Sequence, residues 1–141
     1  MSGQPNGNPA TLNSYVADTH ALYWYLIRSP QLGSNALAAF LEGEKGDAQI
    51  FIPSIVLAEL YFLNVKVGSP LDFASELSRL SDAEQFAFVE FRAEDVLRFD
   101  SLSSIPEMHD RIIASVALAR GCPCLTRDLQ IVSSGLVSIV W

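Results

Sequence analysis

Four acidic residues, Asp18, Glu59, Asp110 and Asp128, stand in separate segments of the chain, each with apolar residues close by. Oxygen donors of this kind suit hard divalent cations such as Mg²⁺ or Mn²⁺, which take a few carboxylates and leave room for water and a phosphate oxygen. Carboxylates gathered in one place repel one another and stay ionised only where a cation compensates them. Such ions can activate a water, orient a phosphodiester and stabilise the leaving oxygen. Metal-assisted phosphodiester hydrolysis is the chemistry these residues offer, provided the fold brings them together.

Sixteen acids are present, so the choice of four needs reasons. Ile55, Val56, Phe62 and Leu63 lie three or four residues from Glu59, which places its carboxylate on an apolar face of any helix there. A charge on such a face is costly unless a cation or several donors meet it, although a Glu at the edge of the stripe can also reach water. Asp110 shares a face with Ile113, Ala114 and Ala117. It also falls in a first helical turn, where the helix dipole favours an acid without any further role. Asp18 and Asp128 each follow a predicted strand, and either can simply cap the helix after it. Thr19, Ser54 and Thr126 are placed to donate hydrogen bonds to carboxylates or water. Arg111 and Arg127 each adjoin a candidate acid and can serve either as phosphate contacts or as surface ion-pair residues. His20 and His109 read as structural or solvent-facing. Neither has a Ser or Cys partner in a hydrolase signature, and there is no His-Glu-x-x-His and no glycine-rich phosphate loop.

The elements that must position these residues follow from periodicity. Strands are expected at Ser14 to Ala17, Gln49 to Ile52, Phe86 to Phe91, Cys122 to Thr126 and Leu136 to Val140. Helices are expected from Thr19 to Ile27, from Ser34 to Gly43, from a Ser54 cap to Lys66, and over Leu71 to Leu80, Ala93 to Leu102 and Met108 to Arg120. Gly68-Ser69-Pro70 reads as a turn. Strands alternating with helices imply an α/β fold with a mostly parallel sheet, whose strand-end loops carry the site. Residues 1–13, rich in Gly, Pro, Asn and Ser, read as a flexible tail or vector remnant, and residues 14–141 as one domain.

The chain of 141 residues carries a net charge of −7, which argues against nucleic acid held by a broad basic surface but suits clustered carboxylates. It also suits a basic partner. Half the residues are hydrophobic, yet no run approaches the roughly 20 apolar residues of a spanning helix. A composition this apolar in a short chain points to surface buried between subunits. With no secretory signal in view, the expected compartment is the cytoplasm. Cys122 and Cys124, too close for a sensible loop-closing disulfide, read as buried free thiols.

The segments around the four acids have a familiar form. Tyr15-Val16-Ala17-Asp18-Thr19-His20-Ala21-Leu22 and Ser54-Ile55-Val56-Leu57-Ala58-Glu59-Leu60 resemble the opening motifs of PIN-domain nucleases. His109-Asp110-Arg111-Ile112-Ile113-Ala114 and Leu125-Thr126-Arg127-Asp128 resemble the closing ones. Order, spacing and the last strand look most like the VapC-type toxins of prokaryotic toxin–antitoxin pairs, over about residues 14–141. The resemblance implies a three-layer α/β/α domain and a Mg²⁺- or Mn²⁺-dependent endoribonuclease. It implies a homodimer and an antitoxin that covers the acidic site. Asp18, Glu59, Asp110 and Asp128 match the family's acidic quartet by position. Where many relatives carry a further acid after the last Asp, this chain has Leu129, Gln130 and Ile131, which thins the donor set around Asp128. Asp95 is a spare acid, expected outside the site. Two alternatives stand beside this expectation: an RNA-processing nuclease with no toxin role, and a protein-binding module whose acids are caps and rim charges.

Overall fold

The computed structural model describes residues 12–141. Most of the expected tail lies outside the described residues, and Asn13, placed in that tail by composition, already belongs to the first strand.

Five strands form one sheet: β1 (Asn13–Ala17), β2 (Ala48–Pro53), β3 (Phe86–Val89), β4 (Cys124–Leu125) and β5 (Ile139–Val140). Their order is β3-β2-β1-β4-β5. Every pairing is parallel, so the mostly parallel expectation becomes an all-parallel sheet. Val16 sits at the centre, paired with Phe51 on one side and Cys124 on the other. All five expected strands exist. The last two shrink to two residues each, because the expected ranges included flanking turn residues that find no partner strand.

Six helices flank the sheet: α1 (Thr19–Leu26), α2 (Ser34–Glu44), α3 (Ser54–Lys66), α4 (Phe73–Asp82), α5 (Met108–Arg120) and α6 (Leu129–Ser134). Asp18 caps α1, accepting from the Ala21 N–H at 2.8 Å. Ser54 does not cap α3. The strand β2 runs straight into that helix, Pro53 takes the cap position, and Ser54 is already helical. The helix expected over Ala93 to Leu102 breaks into two 3₁₀ turns, Ala93–Arg98 and Asp100–Leu102. Of that segment only Leu102 is buried while Leu97 is 84% exposed, so no apolar face stabilises a continuous helix. Asp95 closes the first of these turns, accepting from the Arg92 N–H and pairing with Arg98.

The core lies where α1, α2, α3 and α5 meet the sheet, around Val16, Leu22, Phe40, Ile50, Ile52, Val56 and Leu60. Ile50 and Ile52, two residues apart, share one face of the strand β2 and are fully buried. Both cysteines are free thiols; Cys124 is buried and Cys122 half-buried. Among the described residues no helix is long and apolar enough to cross a membrane.

Candidate active site

Parallel sheets bind ligands outside the carboxyl ends of their strands, at the point where the strand order reverses. Here that point lies between β1 and β4. From β1 the chain builds outward through β2 to β3, then returns to the other side with β4 and β5. Asp18 is the first residue after β1, and Thr126, Arg127 and Asp128 follow β4 directly. The Asp18 N–H donates to the Leu125 carbonyl at 3.2 Å, so the two strand ends are joined at the site itself.

Asp18 is buried, with 7% of its surface exposed, and burial raises its pKa above the usual carboxylate range. The fully buried Thr126 hydroxyl and the Ala21 N–H oppose that rise. The same hydroxyl accepts from the Asp128 N–H at 3.0 Å, so Thr126 ties the two strand-end acids together. Asp128 also caps α6, accepting from Gln130 and Ile131. Its capping role is thus real, and it coexists with a place in the cleft.

Glu59 comes in from α3. Thr19 donates to its Oε1 at 2.6 Å and His109 Nδ1 lies 3.2 Å from its Oε2, so both carboxylate oxygens are held. The inward stripe of α3 is Val56, Leu60 and Asn64; of the face expected around Glu59, Val56 is buried, Ile55 and Leu63 pack half-buried against the core, and Phe62 is not buried. Phe62 is 71% exposed, and Glu59 is half-buried at the flank of the helix where it looks into the cleft. Sequence spacing gave the right residue for an incomplete reason.

Asp110 enters from the first turn of α5, with Ile113, Ala114 and Ala117 buried on its own face as expected. Its pKa is pushed up to about 6, first by burial and then by the charges of Asp128, Glu107, Glu59 and Asp18. All four acids predicted from sequence therefore line one cleft of about 470 Å³, together with Thr19, His20, Phe62, Leu63, Glu107, His109 and Ile113. Glu107 and His109 were not picked out for it. Glu107 caps α5, accepting from the His109 and Asp110 N–H groups, and His109 bridges Glu107 and Glu59. A glutamate at a cap position three residues before Asp110 was the available signal.

The two arginines differ. Arg111 turns away from the cleft, and its guanidinium donates to the carbonyls of Ile105, Phe99 and Ser103, anchoring the 3₁₀ segment. The expected phosphate contact does not fit that placement, because its donors are spent on backbone. Arg127 lies beside the cleft, stacked on Trp24.

No Lys or Arg lines the acidic cleft, whose only basic groups are the imidazoles of His20 and His109. A lining dominated by carboxylates fits a hard divalent ion. Among the described residues no three His, Cys, Asp or Glu side chains already stand close enough to grip one.

Against known proteins, the PIN domain family matches residues 15–133. No curated protein matches the chain. Among solved structures it is similar to VapBC2 from Rickettsia felis bound to a DNA fragment from its promoter, at 19% identity and TM-score 0.66, covering 89% of this chain and 96% of that one. It is similar to FitAcB from Neisseria gonorrhoeae, at 19% identity and TM-score 0.63, covering 89% and 95%. DNA-bound VapBC from Salmonella typhimurium gives 14% identity and TM-score 0.63, covering 92% and 97%. At these identities the likeness establishes the fold. With the family match covering most of the chain, four of the five strands in whole or part and all four acids, the chain belongs to the PIN domain family.

Proposed function

We propose that this protein is a Mg²⁺- or Mn²⁺-dependent endoribonuclease, and that it acts as the toxin of a toxin–antitoxin pair. The observation that carries the proposal is the convergence of Asp18, Glu59, Asp110 and Asp128 on one cleft at the switch point of the sheet, with no Lys or Arg among its lining residues. Asp18, Glu59 and Asp110 would hold the ion and Asp128 would complete the site. When bound, the ion supplies an activated water and charge stabilisation at the leaving oxygen. Thr126 holds Asp18 and Asp128 at fixed separation, and Thr19 and His109 hold Glu59. The buried floor formed by Ile113 and Leu63 keeps the carboxylates in surroundings that favour a cation over open water.

The toxin assignment draws on the VapBC and FitAcB structures to which the fold is similar. An antitoxin presenting a basic side chain to the acidic cleft would both neutralise and block it. A homodimer in the cytoplasm belongs to the same reading. The exposed Tyr61, Phe62 and Val65 of α3 supply apolar surface for such pairing.

The test is cleavage of a labelled RNA with Mg²⁺ or Mn²⁺ by wild type, Asp18→Asn and Asp110→Asn. Wild type should cleave, chelation should stop it, and both variants should lose cleavage by about 10³-fold or more while keeping their circular dichroism. Equal cleavage by all three proteins overturns the assignment. Growth arrest on expression of wild type alone, relieved by Asp110→Asn, tests the toxin role.

A further inference from the structure

Beside the acidic cleft lies a second depression of about 240 Å³, lined by Asp18, His20, Trp24, Arg127, Asp128 and Trp141. Three of these, Asp18, His20 and Asp128, line both depressions, so the two adjoin. The two differ in charge. The acidic cleft has no Lys or Arg, and Arg127 is the one such residue lining either depression.

Arg127 is held in an unusual way for a surface arginine. Its guanidinium lies 4.5 Å from the ring centre of Trp24 and 5.9 Å from that of Trp141, and the two indoles meet edge to face at 5.9 Å. Trp141 is itself fixed, because it lies against Gly33. A Cβ at that position would fall 2.5 Å from the Trp141 backbone and 2.6 Å from its indole, so only glycine leaves room. Stacking on a ring occupies the face of a guanidinium and leaves its N–H edge available. Among the described residues the side chain makes no ion pair, in a protein of net charge −7. Its hydrogen bond is a long one, 3.5 Å, to Gln31. The chain therefore invests two tryptophans and a glycine in holding a cation that has no partner of its own.

We propose that this second depression is a phosphate subsite for single-stranded RNA, in which Arg127 binds the phosphate of the nucleotide adjoining the cleaved bond. The inference rests on the nuclease reading above, and it adds what that reading lacks, a protein cation that sets where the strand lies. Planar, oriented donors favour bidentate grip on a phosphate. Trp24 and Trp141 position the guanidinium and touch no reacting atom.

The experiment measures binding and turnover separately. Fluorescence anisotropy with a labelled single-stranded RNA, at intact Asp110 and with Ca²⁺ in place of Mn²⁺ as the oxygen-seeking ion, compares Arg127, Arg127→Gln and Arg127→Lys. Steady-state cleavage makes the same comparison under Mg²⁺ or Mn²⁺. Arg127→Gln should weaken binding and raise KM about tenfold, with kcat within about twofold. It should also reduce the slope of log affinity against log salt by about 0.7, the value for one phosphate contact on a single strand. Arg127→Lys should recover only part of the loss, because it keeps the charge but not the stacked, forked geometry. Gly33→Ala, which leaves Arg127 in place and displaces Trp141, should weaken binding in the same direction. Unchanged KM and salt slope in Arg127→Gln overturn the subsite while leaving the nuclease intact, as does a loss confined to kcat. Full rescue by lysine overturns the stacked clamp. RNA binding with Ca²⁺ that is sensitive to Arg127, with no cleavage by wild type under Mg²⁺ or Mn²⁺, upholds the subsite and overturns the nuclease. Absence of both binding and cleavage overturns both.

Discussion

At neutral pH Asp110 holds a charge that its surroundings oppose. Its folded-state pKa of about 6 stands above the ordinary value of 3.8, through burial first and the neighbouring carboxylates second. A raised acid stabilises the folded state below its unfolded pKa, and that contribution is lost as pH rises through the folded value. Without metal, the protein should therefore gain thermal stability as pH is lowered from 7 towards 5. Asp110→Asn should flatten that dependence and raise the metal-free melting temperature at pH 7, which differential scanning fluorimetry at several pH values would show. A melting temperature that falls with pH equally in both proteins counts against an opposed charge at Asp110. In the presence of Mn²⁺ the sign reverses in effect: protons compete with the cation below about pH 6, so metal affinity should fall there. Asp18 is pushed in the same direction by burial and should reinforce the trend.

Elements hold these residues only as firmly as they are packed. The strand β2 lies between β1 and β3 and leads without a loop into α3, so its position sets that of Glu59. Ile50 is fully buried on the face that packs with Phe40 and Gly43 of α2. Ile50→Ala should cost about 2–5 kcal/mol, measured by urea denaturation, since a close-packed interior relaxes only partly around a lost side chain. A cost under about 1 kcal/mol would mean that this site collapses freely. The far end of α3 is secured differently. The Asn64 side chain bonds both the N–H and the carbonyl of Leu71, each at 3.0 Å, and closes the turn at Gly68 and Ser69, where the backbone takes positive φ. By contrast, the segment between the 3₁₀ turns and α5 is tied down by Arg111, whose donors reach the carbonyls of Phe99, between the two turns, and of Ser103 and Ile105 after them. That tie explains why an arginine next to a site acid does not face the site.

For the molecule as a whole, the decisive feature is an acidic chain with an acidic cleft. Binding a polyanion there is unfavourable until a cation intervenes. A divalent ion that binds the folded state alone should stabilise it by about 2.7 kcal/mol at a hundredfold excess over its dissociation constant. Titration of Mn²⁺ should therefore raise the melting temperature of wild type, and Asp18→Asn or Asp110→Asn should abolish most of the shift. A shift equal in all three proteins would place the ion elsewhere.

The sequence by itself determined the alternation of strands and helices, the five strand positions and the four acids, because periodicity and motif are local in the chain. It placed Asp110 on a helix face shared with the buried Ile113, Ala114 and Ala117, as the fold has it. Four outcomes depended on tertiary contacts. Strand order placed Asp18 and Asp128 side by side, and nothing in a run of residues states which strands become neighbours. Packing chose Val56, Leu60 and Asn64 as the inward stripe of α3, a helix apolar enough all round that spacing could not decide. The collapse of the Ala93 to Leu102 helix into 3₁₀ turns followed from the lack of a surface to bury it against. Finally, Arg111 and Arg127 look equivalent in the chain, each adjoining a site acid. Only the fold, through the carbonyls that meet one and the indoles that meet the other, spends the first on structure and leaves the second beside the acidic cleft.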